Sequence, residues 1–177
     1  MPRQTVDFRE DIPAIRKYLA GRVASQAEVA DPISAIEIGF QINQAGLVLA
    51  HFDTRPKHKR DGHWTNFMDG PVLKRPRWRR AYEAADRHGV SFVLPDGKAK
   101  DIAPGAGDEE VAGVFGGLLL AVVTDALASG TFAPLKLRKN CQLDIEEFDN
   151  MWAWPLEYED LGRTNILTKM TLERLPG

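Results

Sequence analysis

Alternating hydrophobic and polar residues predict two β-hairpins along the chain. In the first, the apolar positions 36, 38, 40 and 42 repeat with the period of two of a strand that buries one face and exposes the other. Polar residues and a glycine at 43–46 predict the turn, and a second strand over 47–53 carries His51 and Asp53 near its end. A second hairpin is predicted over 90–94 and 98–102, with an apolar, central first strand and a turn at Pro95, Asp96 and Gly97.

Three segments carry the spacing of helices. The first is predicted to begin near Asp11, a capping residue type, and the second to run from Pro76 to just before Gly89. The third starts at Asp108 and stops at Gly130, and its apolar character predicts an enclosed helix whose "GVFGG" glycines allow close packing. The apolar stripes are Ile15, Leu19 and Val23 in the first helix and Trp78, Ala81, Tyr82 and Ala85 in the second.

The order of these elements indicates the fold class. Leu143 and Ile145 mark a late strand, so the chain reads α, ββ, α, ββ, α, β. We predict an α+β fold with a mostly antiparallel sheet of about five strands, built from two hairpins and the late strand and packed with three helices. The length of 177 residues suits a single domain over 1–177.

Composition narrows the class of protein. Net charge is −2, whereas nucleic-acid binders usually carry a basic excess. Cys141 is the single cysteine, and no apolar leader follows the charged start, so we expect a cytoplasmic protein without disulfides. Fourteen uncharged residues between Glu110 and Asp125 are too few for a bilayer, which needs about 20, so no membrane partner is expected.

A polar stretch over 51–70 holds three of the four histidines. Histidine and aspartate are zinc ligands, but the spacing here matches no helical ligand pair, and neighbouring lysines and arginines oppose a divalent cation. We therefore expect no cofactor and interpret the stretch as a polar loop. A metal-assisted or His/Asp hydrolase remains an alternative, since His51 and Asp53 share a strand face. The candidate ligands are His51, Asp53, His58 and His63.

A basic zone runs from Arg55 to Arg80, with nine lysines and arginines against two acids. Interleaved tryptophans make nucleic-acid binding a further alternative, because cations contact phosphates and aromatics stack on bases. Trp78 nevertheless belongs to an apolar helix stripe. The zone is therefore interpreted as a solvated basic face.

An acidic segment from Gln142 to Asp160 contains seven aspartates and glutamates and no lysine or arginine. Tryptophans and a tyrosine lie among the acids, a composition typical of a surface that binds a basic protein partner. The alternative is that the tryptophans fill the core and the acids pair with the basic zone. The predicted partner-binding residues are Asp144, Glu146, Glu147, Asp149, Trp152, Trp154 and Tyr158.

Four stretches between about 34 and 165 carry a resemblance: "IEIGFQINQAGLVLAHFD", "DGHWT", "LASGTFAPL" and "IEEFDNMWAWPLEYEDLGRTN". Together they resemble small bacterial proteins of unknown function, some of which are similar to immunity proteins of polymorphic toxin systems. The resemblance brings no catalytic residues. It implies a cytoplasmic, non-enzymatic α+β protein that blocks a basic toxin-like domain, such as a nuclease, through the acidic aromatic segment.

Overall fold

The computed structural model describes residues 3–42, 46–55 and 71–147, and within these ranges the chain has the α+β architecture that its sequence predicts. A 3-10 turn at Phe8–Glu10 precedes the first helix. The helices are α1 (Ile12–Ala27), α2 (Pro76–His88) and α3 (Asp108–Ala128). The strands are β1 (Gln4–Asp7), β2 (Ile33–Gln41), β3 (Leu47–Asp53), β4 (Leu73–Lys74), β5 (Val90–Val93), β6 (Ala99–Ile102) and β7 (Leu137–Glu147).

The strands form two mixed sheets. Both predicted hairpins are confirmed, because β2 pairs with β3 and β5 with β6 in antiparallel register. The prediction of one mostly antiparallel sheet of about five strands is wrong. A three-stranded sheet has the order β1-β5-β6, with β5 central as expected, and a four-stranded sheet has the order β4-β3-β2-β7. Each contains a parallel pair, β1 with β5 and β2 with β7, because long connections return these chain segments in the same direction.

One hydrophobic core draws on both sheets and all three helices. The predicted helix stripes are confirmed: Ile15, Leu19 and Val23 are buried in α1, and Trp78, Ala81 and Ala85 in α2, with Tyr82 packed beside them. An aromatic cluster joins the elements around the smaller sheet. Phe115 of α3 lies 4.9 Å from the Trp78 ring and 5.1 Å from Phe8, centroid to centroid, distances at which aromatic pairs attract beyond simple burial.

The start of α2 is fixed by contacts that the sequence does not reveal. Pro76 opens the helix and Gly89, with φ +71°, follows its last residue, as predicted. The N–H of Arg75 donates to the carbonyl of Gly46, which ties the turn of the first hairpin to this helix. Gly46 has φ +58°, and a Cβ there would collide with the Arg75 carbonyl, so only glycine suits the position.

Helix α3 is mostly buried, as expected for a core helix, although its length and composition would also allow it to cross a membrane. The prediction that its glycines serve close packing is wrong at Gly117. That residue is half-buried, and a Cβ added to it would meet no atom of the described residues within 4 Å. As far as residues 3–42, 46–55 and 71–147 show, the outer side of α3 is therefore open at this point.

Strand β2 departs from the predicted pattern of one buried and one exposed face. Every residue from Ile33 to Phe40 is buried, including Ser34 and Glu37. The residue types do alternate, but the polar side of β2 is also removed from solvent. A strand of this kind places charged groups in a setting of low dielectric constant, where their interactions are stronger than in water.

Candidate functional site

Strand register divides the four-stranded sheet into an apolar face and a polar face. Ile36 lies between Phe52 and Leu143, and Ile38 between Ala50 and Ile145, so this side belongs to the hydrophobic core. The alternate residues occupy the opposite side, where Leu47 and Leu49 form a smaller buried cluster with Val72 and where the charged residues of these strands also lie. We call that side the polar face and define it by Glu37, His51, Asp53 and Asp144.

The centre of the polar face is a row across three strands. Glu37 of β2 pairs in register with His51 of β3 on one side and with Asp144 of β7 on the other. Glu37 is 7% exposed, whereas His51 and Asp144 are half-buried. Side chains in register on neighbouring strands are close enough to interact, so two carboxylates and one imidazole share a single electrostatic environment.

Asp53 lies at one end of this face and is held by Arg55. The Arg55 backbone N–H donates to Asp53 Oδ1 at 2.7 Å, and its Nη2 donates to Oδ2 at 2.8 Å. Burial raises the pKa of Asp53, but the hydrogen bonds and charge of Arg55 outweigh it, with a smaller contribution from His51, and the pKa lies below its ordinary value. Asp53 is therefore an ionised, arginine-bound carboxylate at neutral pH.

Side chains of α1 close part of the free edge of β3. Ala50 donates its N–H to the Tyr18 hydroxyl at 2.8 Å and accepts at its carbonyl from Arg22 Nη2 at 3.1 Å. The Tyr18 hydroxyl donates in turn to the Pro71 carbonyl at 2.7 Å, and burial raises the pKa of Tyr18. These bonds satisfy backbone groups that an edge strand would otherwise leave available to another chain.

The predicted acidic residues of β7 do not all share one side. Asp144 belongs to the polar face, and Glu146 is in register with Gly39 two positions further on. Glu147 pairs in register with Phe40, on the core side, and is fully buried, because successive residues of a strand alternate between faces. It is therefore not part of the polar face. Asp149, Trp152, Trp154 and Tyr158 lie outside the described residues.

The candidate metal ligands are brought together only in part. His51 and Asp53 do lie on one face of β3, but Asp53 binds Arg55 and the cross-strand neighbour of His51 is Glu37. His58 and His63 lie outside the described residues. Within residues 3–42, 46–55 and 71–147, no three histidine, cysteine, aspartate or glutamate side chains are placed to hold a metal ion.

Several arginines of the basic zone are engaged in ion pairs. Arg75 donates from Nε to Asp11 Oδ1 at 2.7 Å, and Arg77 donates from Nε to Asp11 Oδ2 at 3.1 Å. Arg77 also pairs with Glu10. Asp11 is completely buried and makes no side-chain cap to α1, so its role is to bind these guanidinium groups instead of the helix amides that its sequence position suggests.

Two more arginines of this zone are paired in the same way, whereas Arg80 at its end is exposed. Arg79 pairs with Glu83 at 2.8 Å along α2, as its spacing predicts, and Arg55 pairs with Asp53. The basic zone is therefore neutralised locally at these four arginines. Among the described residues, their ion-pair partners include Asp11, Glu10, Glu83 and Asp53.

Sequence reasoning missed Glu37 as a member of the site. The sequence does contain a sign of this role, since a glutamate stands alone among apolar residues in a strand-like stretch. The alternation of the strand nevertheless predicts an exposed position for this glutamate. Its proximity to Asp144 depends on the parallel pairing of β2 with β7, which joins residues more than a hundred positions apart. No local pattern contains that information.

Comparison of the chain with protein-family models, curated proteins and solved structures finds no match.

Proposed function

We propose that the protein is a binding module that takes a basic group of a protein partner at the polar face, beside the acidic segment that continues from β7. The observation that carries this proposal is the register pairing of Glu37 with Asp144 on neighbouring strands. This arrangement concentrates negative charge on the side of the sheet that faces away from the core.

Adjacent carboxylates on neighbouring strands repel each other, and the repulsion grows where the site is shielded from water. Sequences tend to retain such unfavourable local arrangements where a binding or catalytic role compensates for them. A guanidinium or ammonium group from a partner would reduce the repulsion, whatever contacts the two carboxylates already make within the fold. Asp144 is only half-buried, so it is the member of the pair that a partner side chain could reach.

A pair of carboxylates that favours a basic group fits the expectation of an immunity-like protein, which would block a toxin-like domain with a basic groove. After Glu147 the chain continues into a segment with further acids, Trp152, Trp154 and Tyr158. Aromatic side chains supply most of the binding energy of many interfaces, and a complementary charge directs the approach of the partner. The proposed surface therefore combines Asp144 with this segment and leaves Glu147 out.

A hydrolase is supported less well by the polar face. His51 and Glu37 supply an acid–base pair, but the described residues of this face provide no hydroxyl or thiol nucleophile. The nearby hydroxyl of Ser34 donates to the carbonyl groups of Asp53 and Arg55, and Cys141 is buried on the core side. Binding is thus the function that the arrangement favours.

The test is co-purification with the product of a neighbouring gene, followed by measurement of the dissociation constant. Asp144→Lys places a like charge against the basic partner and is expected to weaken binding by about tenfold or more. Trp154→Ala is expected to cost more than about 2 kcal/mol of binding free energy.

A matched control is Asp86→Lys, which makes the same charge reversal at an exposed position of α2. It changes net charge equally but lies on α2, outside the sheet that carries Asp144, so binding should be unchanged at moderate salt. If Asp144→Lys and Asp86→Lys lost the same amount of affinity, the effect would be explained by net charge and not by the position of Asp144. Unchanged affinity in Asp144→Lys and Trp154→Ala would show that the proposed surface is not used.

A further inference from the structure

A groove of about 780 Å³ runs along the outer side of α3. One wall is the end of β5 and the turn of the second hairpin, with Leu94 and Pro95, and the other is α3, with Val114, Leu118 and Ala121. Gly117 forms the floor between them. Most of the lining is apolar, and an apolar concave surface left open to solvent is a typical binding site for a hydrophobic partner.

Beside the groove and beyond it, α3 keeps a partly exposed side. Ala121 and Asp125 are exposed, while Leu120 and Thr124 are half-buried. A glycine in the middle of a helix costs about 1 kcal/mol relative to alanine, yet among the described residues no atom lies within 4 Å of the place where a Gly117 side chain would stand. The described residues thus give no packing reason for this glycine, and the space beside it admits another helix at close range.

Matching charges lie at one end of the groove and one turn of α3 beyond Ala121, the last residue of α3 that lines it. Near the start of α3, Lys100 Nζ lies 3.6 Å from Glu110 Oε1. Near its end, Arg16 Nη2 lies 2.8 Å from Asp125 Oδ2. All four side chains are roughly half-exposed. At each end, therefore, an acid of α3 is accompanied by a base from another element.

The spacing of these ion pairs is self-complementary. Glu110 and Asp125 are separated by about 22 Å of helix, given a rise of about 1.5 Å per residue, and Gly117 lies at the middle of that span. A second copy laid antiparallel across Gly117 would bring its Asp125 beside Glu110. Each acid would then face the base that accompanies the other, Lys100 against Asp125 and Arg16 against Glu110.

We propose that two copies of the chain associate through this groove, with α3 packed antiparallel against α3 around a twofold axis near Gly117. A twofold interface uses the same patch on both subunits, which the charge arrangement allows. A helix suits the site better than a small molecule, because the charges of one copy that match those of another lie near both ends of α3 and are therefore a helix length apart. The polar face lies on the other side of the four-stranded sheet from the core that α3 joins, so this pairing is independent of the proposed partner binding.

Sedimentation equilibrium of the full chain tests the proposal. The apparent mass should rise from 19.7 kDa toward twice that value as concentration increases over about a hundredfold range. Gly117→Leu fills the floor of the groove and should remain at the mass of one chain. A constant single-chain mass for the unmodified protein would overturn the proposal. That conclusion would hold even if an apolar dye, such as anilinonaphthalene sulfonate, bound to the groove of the monomer.

Gly21→Leu is the matched control. Gly21 lies in the middle of α1, is exposed, and also has open space where a side chain would stand, so the same substitution should leave association unchanged. Circular dichroism of both variants checks that they fold. If Gly117→Leu associated as strongly as the unmodified chain, or Gly21→Leu lost association equally, α3 would not be the contact.

Charge exchange tests the orientation separately. Lys100→Glu should weaken association by about tenfold, and adding Asp125→Lys to the same chain should restore most of it. Within one chain these two residues pair with different partners, Glu110 and Arg16, so recovery requires that they meet across the interface. A double variant that associates no better than Lys100→Glu would overturn the antiparallel arrangement.

Discussion

A single aspartate, Asp11, joins the N-terminal turn to the second helix. Its fully buried carboxylate binds Arg75 and Arg77, which are 20% and 24% exposed. A buried carboxylate with two guanidinium partners is tolerated only while the pairing is complete, because removal of one member leaves charge in a poorly solvated place. The residue type predicts a helix cap, but the partners that decide its role lie more than sixty positions away.

Replacement of Asp11 should therefore destabilise the fold strongly. Asp11→Asn keeps the shape but removes the charge, and we expect the free energy of unfolding, measured in urea, to fall by about 3–5 kcal/mol. Glu10→Gln is the natural control, since Glu10 pairs with the same Arg77 but is 66% exposed, and exposed pairs contribute at most about 1 kcal/mol. Similar losses in both variants would contradict the role assigned to burial.

At the scale of elements, the helices and hairpins follow from local sequence. Pro76 and Gly89 mark the bounds of α2, and the apolar stripes of α1 and α2 point into the core as their spacing predicts. Strand β1 was missed because its four residues contain Val6 as the one buried position, too short a stretch to show a period. The two parallel pairings were missed because pairing between distant segments leaves no mark in either segment alone.

The same limit applies to the candidate site. His51, Asp53 and Asp144 were identified from residue type and spacing, and their common face follows from the strand register. Glu37 was missed because the sequence gives its alternation but not the burial of both faces of β2. The opposite position of Glu147 follows from simple alternation along β7, and so could have been predicted once that strand was recognised.

Substitutions at two glycines test how the local backbone conformation affects the free energy of unfolding. Gly46→Ala forces a positive φ on alanine and drives its Cβ into the Arg75 carbonyl, so we expect a loss of at least about 1 kcal/mol. Gly21→Ala, in the middle of α1 with open space around it, should instead stabilise the protein by about 0.5–1 kcal/mol. Urea unfolding of the two variants should move the transition midpoint in opposite directions. A gain from Gly46→Ala would contradict the contact between the first hairpin and α2.

At the scale of the whole molecule, four arginines of the basic zone are balanced where they stand, while Lys74 and Arg80 are exposed and the other three bases of the zone lie outside the described residues. Arg55, Arg75, Arg77 and Arg79 each face a carboxylate within the same region of the fold. Binding to a polyanion depends on cations that can replace counterions along its backbone, and paired guanidinium groups do so poorly. These four arginines are thus better explained as part of an internal ion-pair network than as a nucleic-acid surface.

Heparin chromatography checks this explanation. We expect the protein to elute below physiological ionic strength, about 0.15 M. Glu83→Lys removes the acid that pairs with Arg79 along α2 and adds a positive charge, so this variant should be retained to a higher salt concentration. Its retention would show that the column detects an exposed basic surface. Firm retention of the unmodified chain would instead support nucleic-acid binding.

The parallel pairing of β2 with β7 also sets the order in which the chain can be assembled. The first hairpin is complete by Asp53, but the strand that covers the free side of β2 begins only at Leu137. During synthesis the ribosome must release most of the chain before this sheet can close, and the entropy lost in closing such a long loop delays the step further. Until then the isoleucine-rich β2 presents an unpaired edge, so the nascent chain is most prone to aggregation in that interval.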